Sequence, residues 1–146
     1  MHIAKGGYRK DLGIYVRSRM EANVARYFNL RECKWEYEPL EYCFDKIKRG
    51  QRYYKPDFII YYLDDYFLFE VKGYFRPEDK TKLRRFRKYY PTKFVRLKFI
   101  IPDKYARSKA NGEMIKFLCD DLEVDFEEIL SYKEMEKWSK LIPGWE

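Results

Sequence analysis

A chain of 146 residues fits one domain with its own core, and a net charge of +7 with a pI near 9.2 points to a polyanionic partner, nucleic acid or a membrane surface. No apolar run approaches the ~18 residues of a membrane span, and the first residues lack the apolar stretch of a secretory signal, so no membrane association and a cytoplasmic location are expected. His2 is the sole histidine, and Cys33, Cys43 and Cys119 form no CxxC pair, which argues against a Cys/His zinc site, a Ser-His-Asp triad or a Cys-His dyad. Any chemistry must then use carboxylates, lysine, tyrosine or a hard metal ion.

Residues 1–16, broken by Gly6-Gly7 and Gly13, read as an arm or ordered extension ahead of a single domain over 17–146. The first helix is expected to start near Ser18, because Ser18-Arg19-Met20-Glu21 fits a capping box. Met20, Val24, Tyr27 and Phe28 continue one apolar stripe to about Leu30. Lys34–Glu38 alternates charged and aromatic residues as a half-buried strand does, and Glu41–Ile47 reads as another. Asp57–Leu63 and Tyr66–Val71 are two β-prone apolar runs joined by a turn at Asp64-Asp65, which predicts a hairpin. Pro77–Tyr90 is expected to be helical, with Pro77, Glu78 and Asp79 suited to its first turn. A strand over Phe94–Ile101, an Asn111-Gly112 turn before a helix at Met114–Cys119, a short strand near Val124 and a helix at Tyr132–Trp138 complete the order. The fold class expected is α/β: a mixed central β-sheet flanked by helices.

The chemistry concentrates at three positions. Asp57 follows Pro56 at the start of one strand; Glu70 and Lys72 stand at i and i+2 at the end of its hairpin partner, on one face. Tight pairing brings all three to the same end of the sheet. Two carboxylates there can hold Mg²⁺ or Mn²⁺ through oxygen, with the Val71 main-chain carbonyl as a further ligand. Such a metal polarises a phosphodiester and acidifies a bound water, and a lysine beside it orients that water or stabilises the transition state. Glu-x-Lys alone carries little weight, since a charged strand end is commonly a solvated edge. The combination, Pro-Asp-Phe opening one strand and Glu-Val-Lys-Gly closing the next, is more specific and resembles the motif of PD-(D/E)XK nucleases, which implies a restriction-endonuclease-like core. Glu21, taken by periodicity alone, is a capping residue.

Charge is unevenly spread. Residues 113–146 hold ten acids and four bases, a net of −6, which leaves +13 on residues 1–112. The Pro77–Tyr90 helix carries Lys80, Lys82, Arg84, Arg85, Arg87 and Lys88, with Leu83, Phe86 and Tyr90 to hold it to the sheet. Its basic residues are expected to lie along a phosphate backbone. Arg17 and Arg19, beside the first helix, form a second candidate clamp.

Several of these segments resemble the endonuclease I family of T-odd phages, Holliday-junction-resolving enzymes. They are Arg17-Ser18-x-x-Glu21, Trp35-Glu36-Tyr37-Glu38, Tyr54-x-Pro56-Asp57-Phe58, Phe69-Glu70-Val71-Lys72-Gly73, Asp79-x-x-Lys82-Leu83 and Tyr90-Pro91. The resemblance spans most of the chain after residue 16. It implies a catalytic set of Glu21, Asp57, Glu70 and Lys72, with Glu21 joining Asp57, Glu70 and Val71 at a Mg²⁺ site. It also implies a role in DNA recombination on four-way or branched DNA, in the cytoplasm of a host cell. An intertwined, strand-swapped homodimer follows from it, in which Glu21 of one chain completes the site of the other. The same motifs occur in less selective phage and transposon-type PD-(D/E)XK nucleases. A non-catalytic nucleic-acid-binding module is the third reading, and the intact Asp57/Glu70/Lys72 set weighs against it.

Overall fold

The computed structural model describes residues 5–146. The first helix, α1 (Arg19–Leu30), starts where the capping signal lies: the Ser18 Oγ accepts from the Glu21 N–H at 3.1 Å. Before it, β1 (Gly7–Arg9) and β2 (Ile14–Val16) pair as an antiparallel hairpin. The described part of the segment read as an arm or ordered extension therefore forms a hairpin, and Val16 is fully buried; Met1 to Ala4 lie outside the described residues.

The chain then forms β3 (Lys34–Tyr37), β4 (Tyr42–Cys43), β5 (Tyr53–Tyr54), β6 (Phe58–Tyr62) and β7 (Asp65–Val71). After them come α2 (Pro77–Tyr89), α3 (Pro91–Phe94), β8 (Leu97–Ile101) and α4 (Lys109–Lys116), which runs into a π-helical turn at Phe117–Asp121. β9 (Leu130–Ser131) and α5 (Tyr132–Glu136) finish the fold. Five strands make a mixed sheet in the order β3-β6-β7-β8-β9; β3, β6 and β7 are antiparallel, and β8 and β9 join in parallel. β4 and β5 make a separate two-stranded ribbon. β3 is a sheet edge, and its exposed Lys34 and Glu36 are the charges that discourage further pairing there.

Strand alternation sends side chains to two cores. Phe58, Ile60, Phe69, Val71 and Ile100 pack with Val24, Ala25 and Phe28 of α1 and Met135 of α5. Ile59, Leu68, Phe99 and Ile101 pack on the other face with Leu83 and Phe86 of α2 and with Met114, Phe117 and Leu118. The result is an α/β fold with helices on both faces of the sheet. Among the described residues no helix is long and apolar enough to cross a membrane.

Several boundaries differ from the sequence reading. The strand expected over Glu41–Ile47 shrinks to Tyr42–Cys43, because Phe44 turns into the α2 core and the Ile47 N–H closes back on the Phe44 carbonyl. Phe94 ends a helical turn begun by Pro91 instead of starting β8. Asn111-Gly112 lies inside α4: Ser108 caps the helix, and the buried Asn111 amide donates to the Lys104 and Ala106 carbonyls. The short strand expected near Val124 forms at Leu130–Ser131, and the last helix stops at Glu136. The hairpin turn falls on Leu63-Asp64, one residue early, with Leu63 in the left-handed region at φ 55°.

Candidate active site

The β6–β7 register builds the site. Phe58 pairs with Phe69, so one step further Asp57 stands opposite Glu70, and opposed residues project to one face. Glu70 and Lys72 continue the alternation of Leu68, toward the α2 layer. The Asp57 carboxylate accepts from the Val71 N–H at 2.7 Å, which fixes it across the strand end. Glu21, from the first turn of α1 on the other layer, reaches the same cleft. The cleft has a volume of about 770 Å³, and Arg17, Lys55, Tyr53, Tyr54, Tyr74, Arg76, Asp79 and Lys82 also line it.

Each charged group is held by a partner. Tyr54, buried in the β4–β5 ribbon where its ring packs 4.8 Å from that of Phe86, donates its hydroxyl to Glu70 at 2.7 Å. The Tyr37 hydroxyl donates to Glu21 at 2.6 Å, and the Ser18 hydroxyl donates to its other oxygen at 2.7 Å. The Lys72 ammonium lies 3.1 Å from Asp79 and 3.7 Å from Glu70. Asp79 accepts at the same time from the Arg76 N–H at the start of α2 (2.9 Å), so helix capping and lysine placement share one carboxylate. Arg17 pairs with Glu38 at 2.8 Å on the rim.

Electrostatically the cleft is left short of positive charge. Glu21, Asp57 and Glu70 are 7%, 9% and 5% exposed. Burial pushes Asp57 well above the usual carboxylate range, and the neighbouring Glu70 and Glu21 push it further; the Val71 N–H and Lys72 only partly offset this. Burial raises Glu70 to about 7 against the pull of Lys72 and the Tyr54 hydroxyl. Glu21 is likewise raised by burial. For Lys72, burial alone would favour the neutral amine, but Glu70 and Asp79 outweigh it and hold the ammonium charged. Burial also raises Tyr37 and Tyr54, which keeps both hydroxyls protonated as donors.

Compared with known proteins, the chain matches no protein-family model and no curated protein sequence. The site must therefore be read from its own geometry.

Of the residues singled out in sequence, Glu21, Asp57, Glu70, Val71, Lys72, Arg17 and Lys82 line this cleft. Glu21 lines it within the single chain described. The remaining basic residues are elsewhere. Arg84 pairs with Asp121 at 2.8 Å, and Arg87 with Glu123 at 2.8 Å. Lys80 and Arg84 lie over the Phe117 ring, Lys88 over Tyr89, and Arg85 donates to the Gln51 carbonyl at 2.6 Å. Arg19 is exposed and outside the cleft lining. Much of the α2 basic face is thus tied to acids and rings of the C-terminal segment. Sequence reasoning gave no role to Tyr54 or Tyr37 and took Asp79 for a helix-dipole residue; the Tyr-x-Pro-Asp spacing was the one signal for Tyr54.

Among the described residues no three Asp, Glu, His or Cys side chains come close enough to make a ready-made metal cage. Glu21, Asp57 and Glu70 therefore do not meet as the three-carboxylate metal set that the resemblance implied. Asp57 and Glu70 supply two hard oxygen donors, buried and incompletely neutralised. A strand residue's N–H and C=O face the same neighbour, so the Val71 carbonyl turns to the side on which its N–H meets Asp57.

Proposed function

We propose that this chain is a Mg²⁺-dependent DNA endonuclease with a restriction-endonuclease-like core, acting on four-way or otherwise branched DNA. One observation carries the reading: Asp57 and Glu70 are opposed at the end of a hairpin, under-neutralised in a cleft, with Lys72 charged beside them. A structural ion pair has no use for three buried carboxylates and one lysine.

Asp57, Glu70 and the Val71 carbonyl would hold the metal, with Glu21 at the edge of the same site. Bound there, Mg²⁺ (or Mn²⁺ in its place) supplies Lewis acidity at a phosphate oxygen and a more acidic water. Lys72, fixed by Asp79, presents its ammonium to the phosphate or the attacking water and stabilises charge that grows in the transition state. Tyr54 and Tyr37 donate to the outer oxygens of Glu70 and Glu21 and set their orientation, as outer partners of metal-binding carboxylates do. Arg17 and Lys82 on the rim attract the phosphate backbone.

Resolution of a junction needs two opposed cuts, and a two-fold homodimer presents two sites to a two-fold substrate. In such a dimer Glu21 would complete its own chain's site or, with strands exchanged between protomers, that of the partner. The host-cell cytoplasm is the compartment that fits such work.

A cleavage assay tests the reading with a four-way junction, linear duplex and single strand of matched sequence, in Mg²⁺ and in excess chelator. The account expects cutting in Mg²⁺ alone, fastest on the junction. Cutting that survives chelator removes the metal site. Equal cutting of all three substrates keeps the nuclease and removes the selectivity. No cutting of any leaves a binding module.

A further inference from the structure

Most tyrosines in this chain are committed. Tyr37 and Tyr54 hold carboxylates, Tyr42 and Tyr90 pack with Phe86, and Tyr132 stacks on Trp145. Tyr53 and Tyr74 are not committed in this way. They are 45% and 58% exposed, and among the described residues these two alone of the large exposed apolar side chains line the active cleft. Tyr53 alternates with Tyr54 in the two-residue β5, so fixing Tyr54 on Glu70 turns Tyr53 outward. Tyr74 stands two residues past Lys72, after Gly73. Each ring has an arginine nearby: Arg52 lies 5.7 Å from the Tyr53 centroid and Arg76 lies 5.8 Å from that of Tyr74. The Arg76 Nε also donates to the Tyr74 hydroxyl at 3.2 Å, which restrains the ring.

A single exposed tyrosine is ordinary. Two on the wall of one cleft, each beside a cation and each next to a residue of the reacting centre, make an arrangement suited to a ligand that is both anionic and flat. Nucleotides meet both conditions. In continuous duplex the base faces are already occupied by their neighbours, so such rings gain nothing from it. A base freed from its stack at a branch, flap or single-stranded end offers a free face, and every base has one.

Building on the nuclease reading above, we infer that Tyr53 and Tyr74 are stacking platforms for unpaired bases, so that the cleft selects DNA splayed beside the cut phosphate. Recognition is then by availability of base faces and is tolerant of sequence. Arg52 and Arg76 take the flanking phosphates, and the rings take the bases between them.

The test is binding in chelator, where hydrolysis does not intervene. The probes are a forked DNA carrying 2-aminopurine at an unpaired position next to the branch and a blunt duplex of equal length. Wild type should bind the fork more tightly and quench the 2-aminopurine. Tyr53→Leu and Tyr74→Leu each lower fork affinity about tenfold, the usual scale of one lost stack, and move duplex affinity little. Tyr53→Phe and Tyr74→Phe keep the preference, which separates loss of the ring from loss of the fold. Equal losses on fork and duplex, unchanged fork affinity in the Leu variants, or no quenching by wild type overturns the proposal. A wild type that cuts DNA yet shows no dependence on the two rings rejects the platforms and retains the nuclease; one that stacks unpaired bases but never cuts does the reverse.

Discussion

Two groups of carboxylates flank α1, and they are treated in opposite ways. On one side Arg26, itself buried, donates to Asp11 at 2.8 and 3.0 Å, to Glu146 at 2.9 Å and to the Asn23 amide oxygen at 3.0 Å; Arg9 adds a second cation to Glu146. The Asn23 amide closes the network on the Tyr132 hydroxyl and the Glu146 backbone. The hydrogen bond from Arg26 holds Asp11 below its ordinary carboxylate value. For Glu146, burial pulls upward, but Arg9 and Arg26 win and hold it low. On the other side Asp57 and Glu70 share Lys72, Glu21 has the rim cation Arg17, and burial raises all three carboxyls. The first group joins the β1–β2 hairpin to the C-terminal segment with its charge balanced. The second retains a negative excess that further cations can relieve.

Removing the cation that Asp57 and Glu70 share should give the largest effect. Lys72→Ala is expected to slow cleavage about a hundred- to thousandfold while DNA affinity changes little, measured as turnover and equilibrium binding on the same substrate. Lys82→Ala should do the opposite, lowering affinity and reducing the salt slope by about one. A parallel loss of both properties in Lys72→Ala would make it a binding residue.

The balanced cluster should respond in stability. Arg26→Met leaves Asp11 and Glu146 without their shared cation and is expected to cost about 2 kcal/mol, less than for a fully buried pair because both acids keep some water. Denaturant titration reads this loss, and the folded fraction should still cut DNA. A variant as stable as wild type would show that the network contributes geometry without energy.

A smaller effect distinguishes the cleft face of α2 from its far face. Asp121→Asn combined with Glu123→Gln frees Arg84 and Arg87 from their acids. If that face borders the DNA path, affinity should rise a few-fold and the salt slope should steepen by up to about two. No change in either quantity puts DNA on the cleft side alone.

The parts of the molecule that were legible in sequence are those set by short spacing. Asp57, Glu70 and Lys72 meet because period-two alternation and a two-residue turn are local rules, and α1 begins at Ser18 because a cap needs only its own first turn. The partners that tune the site come from farther away. Tyr54 reaches Glu70 through a ribbon held by packing on Phe86, and nothing in a Tyr-Tyr pair tells which ring turns inward. Asp79 fits a helix start whether or not Lys72 is near. The basic helix and the acidic segment were each visible, but their pairing at Arg84–Asp121 and Arg87–Glu123 exists only after folding. Arg26 gave no signal, because its acids lie 15 residues before it and 120 after it. Phe94 and Asn111-Gly112 misled for the converse reason: Pro91 opens one helical turn and Ser108 caps another, and these override the local strand and turn preferences.

Thermal unfolding against pH, in chelator and in millimolar Mg²⁺, tests the under-neutralised cleft most directly. Glu70 has a folded pKa of about 7 against an ordinary 4.5, so its stabilising contribution is complete below the ordinary value and is lost as pH rises through about 7. Asp57 and Glu21 shift in the same direction. Asp11 and Glu146, held low, act only at more acid pH, where their contribution is lost as pH falls through their folded values. In chelator the wild type should therefore lose stability between about pH 5 and about pH 8, by on the order of 3 kcal/mol from Glu70 alone, and Mg²⁺ should restore it at the alkaline end. Asp57→Asn should flatten the loss and abolish the response to Mg²⁺. A wild type whose stability is level across this window and indifferent to Mg²⁺, or an Asp57→Asn variant that still responds to the metal as wild type does, would contradict the account.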